Sequence, residues 1–397
     1  MHISGPPAAK RTAGNNCLDC HMPKRRAEDA VHVVVTDHFI QRRRAARDLL
    51  APLNETADFE KSAYRGEVAL YYPRQLPPSG ENELYVAVAQ VQQTSNLKAG
   101  ITRLEQALEK HRPERPDFYF ELARAYSKVG NYEAAIHWND EALRRDGNFR
   151  PALKELASSL MAAGQLARAA EMLEKAIALS AADSFALTDL GNAYLRQEKI
   201  DEAKQVLQKA STLDPDLPQA NNLMGLATLK RGDSAAAEMY FRNAIRIQPD
   251  LAEAHNNLGN LLASGKDYGQ AAYHFEKAIA TNPGYVEAHH SYAMVLVLMG
   301  SYEKAVAELQ DTVRLAPNLA QAHSDLGDVL AATRRIDRAA EQYKLAIQSN
   351  PAHYEAHLAL GGILARKGRT AEARMHFERA AESTDPAVRQ AALEAMR

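Results

Sequence analysis

A single spacing of 34 residues organises most of this chain. Alanine recurs at that interval eight times, without an insertion or deletion between Pro116 and Ala387. The eight residues are Ala135, Ala169, Ala203, Ala237, Ala271, Ala305, Ala339 and Ala373. A fixed period of this length is typical of stacked supersecondary units, each of which packs only against its neighbours. We therefore expect an elongated array of units rather than one globular core.

Each 34-residue block has the pattern of two helices joined by a short turn. In the block that starts at Ala252, Leu258 and Leu262 have helical spacing, residues 265–268 read as a turn, and a second apolar face begins at Ala271. Gly or Ala occupies the facing positions of both helices, which predicts close helix packing. Prolines that cannot continue a helix stand near the ends of five blocks, at Pro215, Pro249, Pro283, Pro317 and Pro351.

This pattern resembles the tetratricopeptide repeat, and the resemblance covers residues 116–387. It implies an all-α fold, a superhelical solenoid of helical hairpins whose first helices line a concave groove. It also implies a role in binding proteins or peptides. A ninth, degenerate repeat is expected at residues 82–115, and residues 388–397 are expected to form a polar-faced capping helix.

Polar side chains on the first helices are the candidates for lining that groove. They are Asn192, Asn222, Asn256, Asn260 and His290. An amide can both donate to and accept from the backbone of an extended peptide, and a row of Asn residues holds peptides in some members of the family. The alternative is that these residues form an ordinary solvated helix surface.

A column of histidines recurs with the same period, at His255, His289, His323 and His357. Packed helices lie about 8–10 Å apart, whereas two imidazole nitrogens on one zinc ion must lie within roughly 4 Å of each other. Equivalent histidines of successive repeats are therefore predicted to be too distant to share a metal. We expect the column to replace an aromatic residue between helices.

The N-terminal part of the chain carries a different motif, Cys17-Leu18-Asp19-Cys20-His21. Cys-x-x-Cys-His is the attachment sequence of c-type haem, in which two thiols join the porphyrin and the His binds iron. The following Met22-Pro23 and the segment Thr36-Asp37-His38 resemble the last haem-binding part of multihaem cytochromes c, including those fused to tetratricopeptide arrays. The resemblance implies thioethers at Cys17 and Cys20 and a proximal iron ligand at His21.

The second axial ligand and the cofactor itself remain open in the sequence. His38 is the favoured distal ligand and His32 the alternative. Cys17, Cys20, His32 and His38 also approach a Cys2His2 zinc pattern, although Val33–Thr36 favours a strand rather than the helix of a zinc finger. A third interpretation has two free thiols and no cofactor. Residues 1–45 are accordingly predicted to be a partial, mostly irregular haem-binding segment, and residues 46–81 a linker.

Composition limits the remaining function classes. The 48 basic and 50 acidic residues nearly balance, which argues against nucleic-acid binding. No apolar run approaches the ~20 residues of a membrane span, and no nucleophile–base or phosphate-binding constellation indicates an enzyme.

Two functions remain: a redox-linked scaffold with redox partners, or an interaction module without haem. Haem attachment would require a periplasmic or other extracytoplasmic location. No signal peptide is visible, so the chain is expected to be either cytoplasmic or the C-terminal part of a longer multihaem protein.

Overall fold

The computed structural model describes residues 80–92 and 96–397, together with the backbone of residues 24–26 and 34–36. The chain divides into two units, Met1–Arg65 and Gly66–Arg397. In the first unit, strand β1 (Lys24–Arg26) pairs antiparallel with strand β2 (Val34–Thr36), and Lys24 lies opposite Thr36. The strand predicted from the β-branched run is thus present.

The second unit is built from helices, nineteen of them within the described residues. In chain order they are α1 Gly80–Gln92, α2 Leu97–His111, α3 Pro116–Lys128, α4 Tyr132–Arg145, α5 Arg150–Ala162, α6 Leu166–Leu179, α7 Ser184–Arg196, α8 Ile200–Leu213, α9 Pro218–Lys230, α10 Ser234–Ile247, α11 Ala252–Ser264, α12 Tyr268–Thr281, α13 Val286–Leu298, α14 Tyr302–Leu315, α15 Ala320–Ala332, α16 Ile336–Ser349, α17 Tyr354–Arg366, α18 Thr370–Ala380 and α19 Pro386–Ala395.

Every 34-residue block from residue 116 onward forms one helical hairpin, which confirms the predicted fold class. We number these hairpins repeats 1 to 8 and count positions from the first residue of each block. The first helix fills positions 1–13, and the second begins at position 17. Helices α1 and α2 pack as a further hairpin before repeat 1, and α19 follows repeat 8 and covers its end with the buried Ala392.

The turn inside each hairpin depends on one left-handed residue at position 15. Five repeats have glycine there, as at Gly130, where φ is 75°. The other three have Glu198, Lys266 and Arg334, with φ between 60° and 65°. A side chain is strained in this conformation and glycine is not, so the short turn explains the glycine preference. The turn predicted at residues 265–268 is therefore confirmed.

Close approach of the two helices in a hairpin depends on position 8. A Cβ atom added to Gly225 would lie 2.5 Å from Cε1 of Phe241, and one added to Gly327 would lie 2.6 Å from Cε1 of Tyr343. Repeats 2 and 6 have alanine at position 8, and their partner at position 24 is the smaller leucine, Leu173 or Leu309. Repeat 1 pairs Ala123 with Asn139, and repeat 3 pairs Gly191 with Leu207. An aromatic residue at position 24 therefore always faces glycine at position 8, and the two positions share one volume between the helices.

The alanine columns of the second helices are buried, as the periodicity predicts. The eight alanines of the 34-residue period are at most 2% exposed. Position 27 forms a second alanine column in seven repeats, and Thr312, which replaces alanine there in repeat 6, is also fully buried. Its hydroxyl donates to the carbonyl oxygen of Glu308 at 2.9 Å, so the polar atom is satisfied within its own helix.

Candidate functional site

The first helices of the repeats lie side by side and form one continuous surface. Those of repeats 1 to 6 contact each other in succession, whereas the second helices of the described repeats pack mainly against first helices. The first helices are therefore on the inner side of the curved array. We call positions 2, 5, 6 and 9 of these helices the inner face; repeat 5 contributes Glu253, Asn256, Asn257 and Asn260.

Hydrogen bonds cross the inner face from one repeat to the next. Asn257 Nδ2 donates to Asn222 Oδ1 at 2.9 Å, which joins repeats 5 and 4. His290 Nε2 lies 2.7 Å from Asp325 Oδ2, which joins repeats 6 and 7. Each pair links residues 35 apart in the sequence. Because the same two positions are used in both pairs, these polar contacts share one repeat-to-repeat register.

All five candidate groove residues are on the inner face, but they differ in accessibility. Asn222 and Asn256 are buried, at 7% and 5% exposure, between neighbouring first helices. Asn192 and His290 are half-buried, and only Asn260 is exposed. Asn192, Asn260 and His290 therefore expose more of their surface to a ligand than Asn222 and Asn256 do.

Asn256 has an incomplete set of hydrogen bonds. Its Oδ1 atom is buried and has no donor among the described residues. A hydrogen bond to Asn256 slightly lowers the pKa of the Tyr285 phenol, while burial and the carboxylates of Glu253 and Glu287 raise it, to about 12. A buried acceptor without a donor is costly unless another group satisfies it.

Acidic residues of the inner face were missed when only the sequence was considered. Asp325 is 9% exposed and accepts from Gln321 Nε2 at 2.9 Å as well as contacting His290. Asp328 accepts from the Tyr343 hydroxyl at 2.6 Å, and its pKa is raised by burial and by Asp325. Their places at positions 6 and 9, on the same helical face as the asparagines, could have identified them from the sequence.

Repeats 2 and 3 form a second charged group on this surface. Asp183 accepts from both Arg150 and Lys154 at 2.9 Å and caps helix α7 through the backbone N–H of Ala186. These partners outweigh its burial and lower the pKa of Asp183. Asp189 has no such hydrogen bonds, and burial raises its pKa to about 6.

The histidine column has the structural role that the sequence predicts. In each case Nε2 lies 3.0–3.3 Å from the carbonyl oxygen of the proline that ends the preceding repeat. Nδ1 contacts the residue at position 23 of the same repeat, which lies on the second helix. This residue is His274, Glu308, Gln342 or His376. Each imidazole therefore joins a hairpin to the preceding loop, and none of the four contacts the histidine of the next repeat.

His289, Glu308 and Asp311 come close enough together to suit a metal ion. Contacts within the protein already account for these groups. Nδ1 of His289 lies 2.7 Å from Glu308 Oε2, and Arg314 donates to Asp311 at 2.7 Å. We therefore interpret this cluster as a contact between the His289 imidazole and the Glu308 carboxylate, next to an ordinary surface ion pair.

The predicted haem and zinc residues lie outside the described residues. These are Cys17, Cys20, His21, His32 and His38. Strands β1 and β2 lie between these residues in the sequence, and the pairing of the two strands is described. Lys24, which follows His21 by three positions, pairs with Thr36, which precedes His38 by two. Val34, which follows His32, pairs with Arg26 at the opposite end of the ladder.

Comparison with known families agrees with the helical-hairpin solenoid. One family model described as "Tetratricopeptide repeat" matches residues 92–148, 222–286 and 324–388, and a second with the same description matches residues 160–227 and 261–326. Together they leave only residues 149–159 unmatched between 92 and 388. The chain belongs to the tetratricopeptide repeat family. No curated protein matches it.

Solved structures with similar folds include a hetero-tetramer and a dimer. The Cut9–Hcn1 hetero-tetramer of APC/C has 13% identity and a TM-score of 0.54, covering 81% of this chain and 67% of that chain. The human IFIT1 dimer with PPP-AAAA has 16% identity and a TM-score of 0.51, covering 76% and 81%. YrrB, "a TPR protein with an unusual peptide-binding site", has 24% identity and a TM-score of 0.36, covering 47% and 96%. The first two share the fold with this chain.

No helix in the described part of the chain is both long enough and apolar enough to cross a bilayer.

Proposed function

We propose that the chain is an interaction scaffold that holds an extended peptide on its inner face and carries a c-type haem in its N-terminal segment. The tetratricopeptide repeats supply the scaffold. The observation that carries the peptide-binding role is the cross-repeat row of amides, which has an accessible Asn260 and a buried Asn256 oxygen without a donor. A peptide backbone supplies both donors and acceptors at regular spacing, so it matches such a row.

Replacing the accessible amides tests the peptide-binding role. We expect Asn192→Ala with Asn260→Ala to weaken the binding of peptides selected from a displayed random library, measured by fluorescence anisotropy. At about 1 kcal/mol for each lost hydrogen bond, the dissociation constant rises roughly tenfold or more. Both positions are in helices, where alanine is the most favourable residue, so the fold is retained.

A matched control keeps the number of lost amides the same. Gln205→Ala with Gln310→Ala changes two exposed amides of the second helices. The dissociation constant of this control is expected to match that of the wild type. Equal weakening in both double variants would show that peptides do not bind at the inner face.

The haem role rests on the donor set of the N-terminal motif. Cys17 and Cys20 have the spacing that joins two thiols to one porphyrin, and His21 follows them directly as the proximal ligand. His38 is proposed as the distal ligand. The strand register supports it, because Lys24 and Thr36, the residues nearest His21 and His38 in the ladder, are paired. Haem bound here would supply one-electron transfer, and redox proteins would then be among the partners.

Expression in a host that matures c-type cytochromes tests the haem role. We expect a Soret band that survives acid–acetone extraction and that is lost in Cys17→Ser with Cys20→Ser. If His38 is the distal ligand, His38→Ala should shift the Soret band towards its high-spin position, and an unshifted band would assign the distal ligand to His32 or to another group. Zinc without a Soret band would establish the Cys2His2 alternative, and a colourless, metal-free protein would leave the scaffold alone.

Location follows from the same experiment. Because haem c is attached outside the cytoplasm, covalent haem would place the mature protein in the periplasm or an equivalent compartment. A zinc-bound or metal-free protein would be compatible with the cytoplasm.

A further inference from the structure

The charge of the inner face changes along the array. At positions 2, 5, 6 and 9, repeats 1–4 carry four acidic residues and two basic ones, Arg124 and Lys154. The same positions in repeats 5–8 carry five acidic residues and no Lys or Arg. These five are Glu253, Glu287, Asp325, Asp328 and Glu355. The two halves of one continuous surface therefore present different electrostatic potentials to a bound peptide.

Three of these five acids have no basic partner. Among the described residues, Glu253, Glu287 and Asp328 make no ion pair, whereas Asp325 contacts His290 and Glu355 lies 3.4 Å from His353. Many acids of the second helices are paired within their own helix. Examples are Glu238 with Arg242, Asp311 with Arg314, and Glu378 with Arg374. The carboxylates of Glu253, Glu287 and Asp328 thus belong to the inner face of repeats 5–7 and make no ion pair among the described residues.

Glu253 and Glu287 both act on Tyr285, whose phenol also interacts with the buried Asn256. Glu253, Asn256 and Asn260 follow one another on one stripe of helix α11, and Asn256 is 5% exposed with an unpartnered Oδ1. Burial and the carboxylates of Glu253 and Glu287 raise the pKa of the Tyr285 phenol. The group therefore offers two carboxylates and an amide oxygen but no cation, and this arrangement suits an ammonium or guanidinium donor.

Asp325 and Asp328 form a similar acidic group two repeats further on. They are in the middle of helix α15, so helix-end electrostatics do not account for them. Burial and the neighbouring Asp325 raise the pKa of Asp328. An added cation would stabilise both carboxylates in their charged form.

We propose that the inner face of repeats 5–7 selects a basic peptide segment, one Lys or Arg side chain lying beside Glu253, Asn256 and Glu287 and another beside Asp328. This specificity rests on the proposed peptide-binding function of the same surface. The occupant is an extended peptide, since the acidic positions follow the register of the amide row. Repeats 1–4 bind the rest of the peptide without this charge preference.

Three fluorescein-labelled synthetic peptides of one length test the proposal by anisotropy. They carry Lys, Ser or Glu at the same spaced positions in a Gly/Ser/Asn background. We expect the Lys peptide to bind about tenfold or more tightly than the Ser peptide at low ionic strength, with a smaller difference at high salt because the charges are screened. The Glu peptide is expected to bind most weakly.

A charge-neutralised variant assigns the preference to these residues. Glu253→Gln, Glu287→Gln and Asp328→Asn together should remove most of the advantage of the Lys peptide and leave the Ser peptide unchanged. The control Glu133→Gln, Glu171→Gln and Glu341→Gln removes three exposed carboxylates of the second helices that make no ion pair among the described residues. It should keep the full preference.

The outcomes separate this proposal from the one it rests on. Equal binding of the Lys and Ser peptides, or an equal loss in both triple variants, would overturn the charge preference. In either case, sensitivity of the Ser peptide to Asn192→Ala with Asn260→Ala would retain the peptide-binding function. Failure of all three peptides to bind would overturn both.

Discussion

The contribution of two histidine pairs to the unfolding free energy of this protein is expected to fall as the pH drops from about 6.5 to about 4. In one pair Nδ1 of His255 lies 2.9 Å from Nδ1 of His274, and in the other Nδ1 of His357 lies 2.9 Å from Nδ1 of His376. Because Nε2 of His255 donates to the Pro249 carbonyl oxygen, its Nδ1 accepts the proton of the His274 Nδ1–H. If Nδ1 of His255 also carried a proton, neither Nδ1 atom of the pair could accept the hydrogen bond of the other.

The pKa values of these histidines follow from that arrangement. Burial lowers the pKa of His274 to about 4, helped by His255 and Arg242. Burial also lowers the pKa of His255, with a contribution from Lys277 and against the Pro249 carbonyl. For His357, burial, His376, Arg379 and His353 act in the same direction. For His376, burial and Lys344 lower the pKa while Glu372 raises it.

The sign and size of the effect come from proton linkage. The unfolded chain binds protons near pH 6.5 and the folded pairs do not, so acid favours the unfolded state between these two pKa values. His274 alone accounts for roughly 2–4 kcal/mol at the lower limit of the window. Urea unfolding followed by circular dichroism at a series of pH values measures it.

Repeat 7 supplies the matched control, because Gln342 occupies the position of His274 and contacts His323. An amide carries both a donor and an acceptor and does not titrate in this range. His274→Gln with His376→Gln is therefore expected to flatten the dependence of stability on pH. His137→Gln, which removes an exposed histidine, should leave it unchanged. Parallel curves for the wild type and the double variant would contradict the explanation.

The second large effect is expected from crowding at position 8. Gly225→Ala places a methyl group 2.5 Å from the Phe241 ring, which is fully buried and has no room to move. Overpacking of this kind costs about 1–3 kcal/mol. The urea midpoint of the variant is therefore expected to fall clearly below that of the wild type.

A double-mutant cycle tests the shared volume directly. Phe241→Leu alone is destabilising because it leaves a cavity. Combined with Gly225→Ala it recreates the Ala–Leu pairing of repeats 2 and 6, so the double variant should recover at least about 1 kcal/mol relative to the sum of the single changes. Additive losses would show that the two positions do not share one volume.

A neighbouring glycine gives the control for helix propensity. Gly362 is in helix α17, and a Cβ atom added to it would lie 3.9 Å from Nη2 of Arg366, an ordinary van der Waals distance. Gly362→Ala is therefore expected to be neutral or to stabilise by about 0.5–1 kcal/mol, since alanine is favoured over glycine inside a helix. The contrast with Gly225→Ala separates crowding from propensity.

The haem and zinc hypotheses concern residues outside the described part of the chain, so the fold does not test them. Cys17, Cys20 and His21 are recognised by their spacing alone, because a covalent attachment motif depends on a few adjacent residues. The distal ligand depends on how the segment folds around the porphyrin, so His38 and His32 could not be separated by spacing. The register of β1 and β2 now supports His38 as a proposal.

The hairpins, their turns and their packing columns were determined by the sequence itself. Position 15 requires a left-handed residue, position 8 must be small, and the alanine columns must be buried, and each requirement recurs in every repeat. Local geometry enforces these rules, so a period read along the chain is sufficient to find them.

Only the tertiary structure decided which polar residues meet between repeats. Asn222 and Asn257, or His290 and Asp325, are brought together by the rotation of one hairpin against the next, which no spacing within a repeat specifies. That rotation buries Asn222 and Asn256, leaves Asn260 accessible, and places Glu253, Glu287 and Asp328 on one surface. Burial depends on both neighbours at once, and it is therefore a property of the packed array rather than of any one repeat.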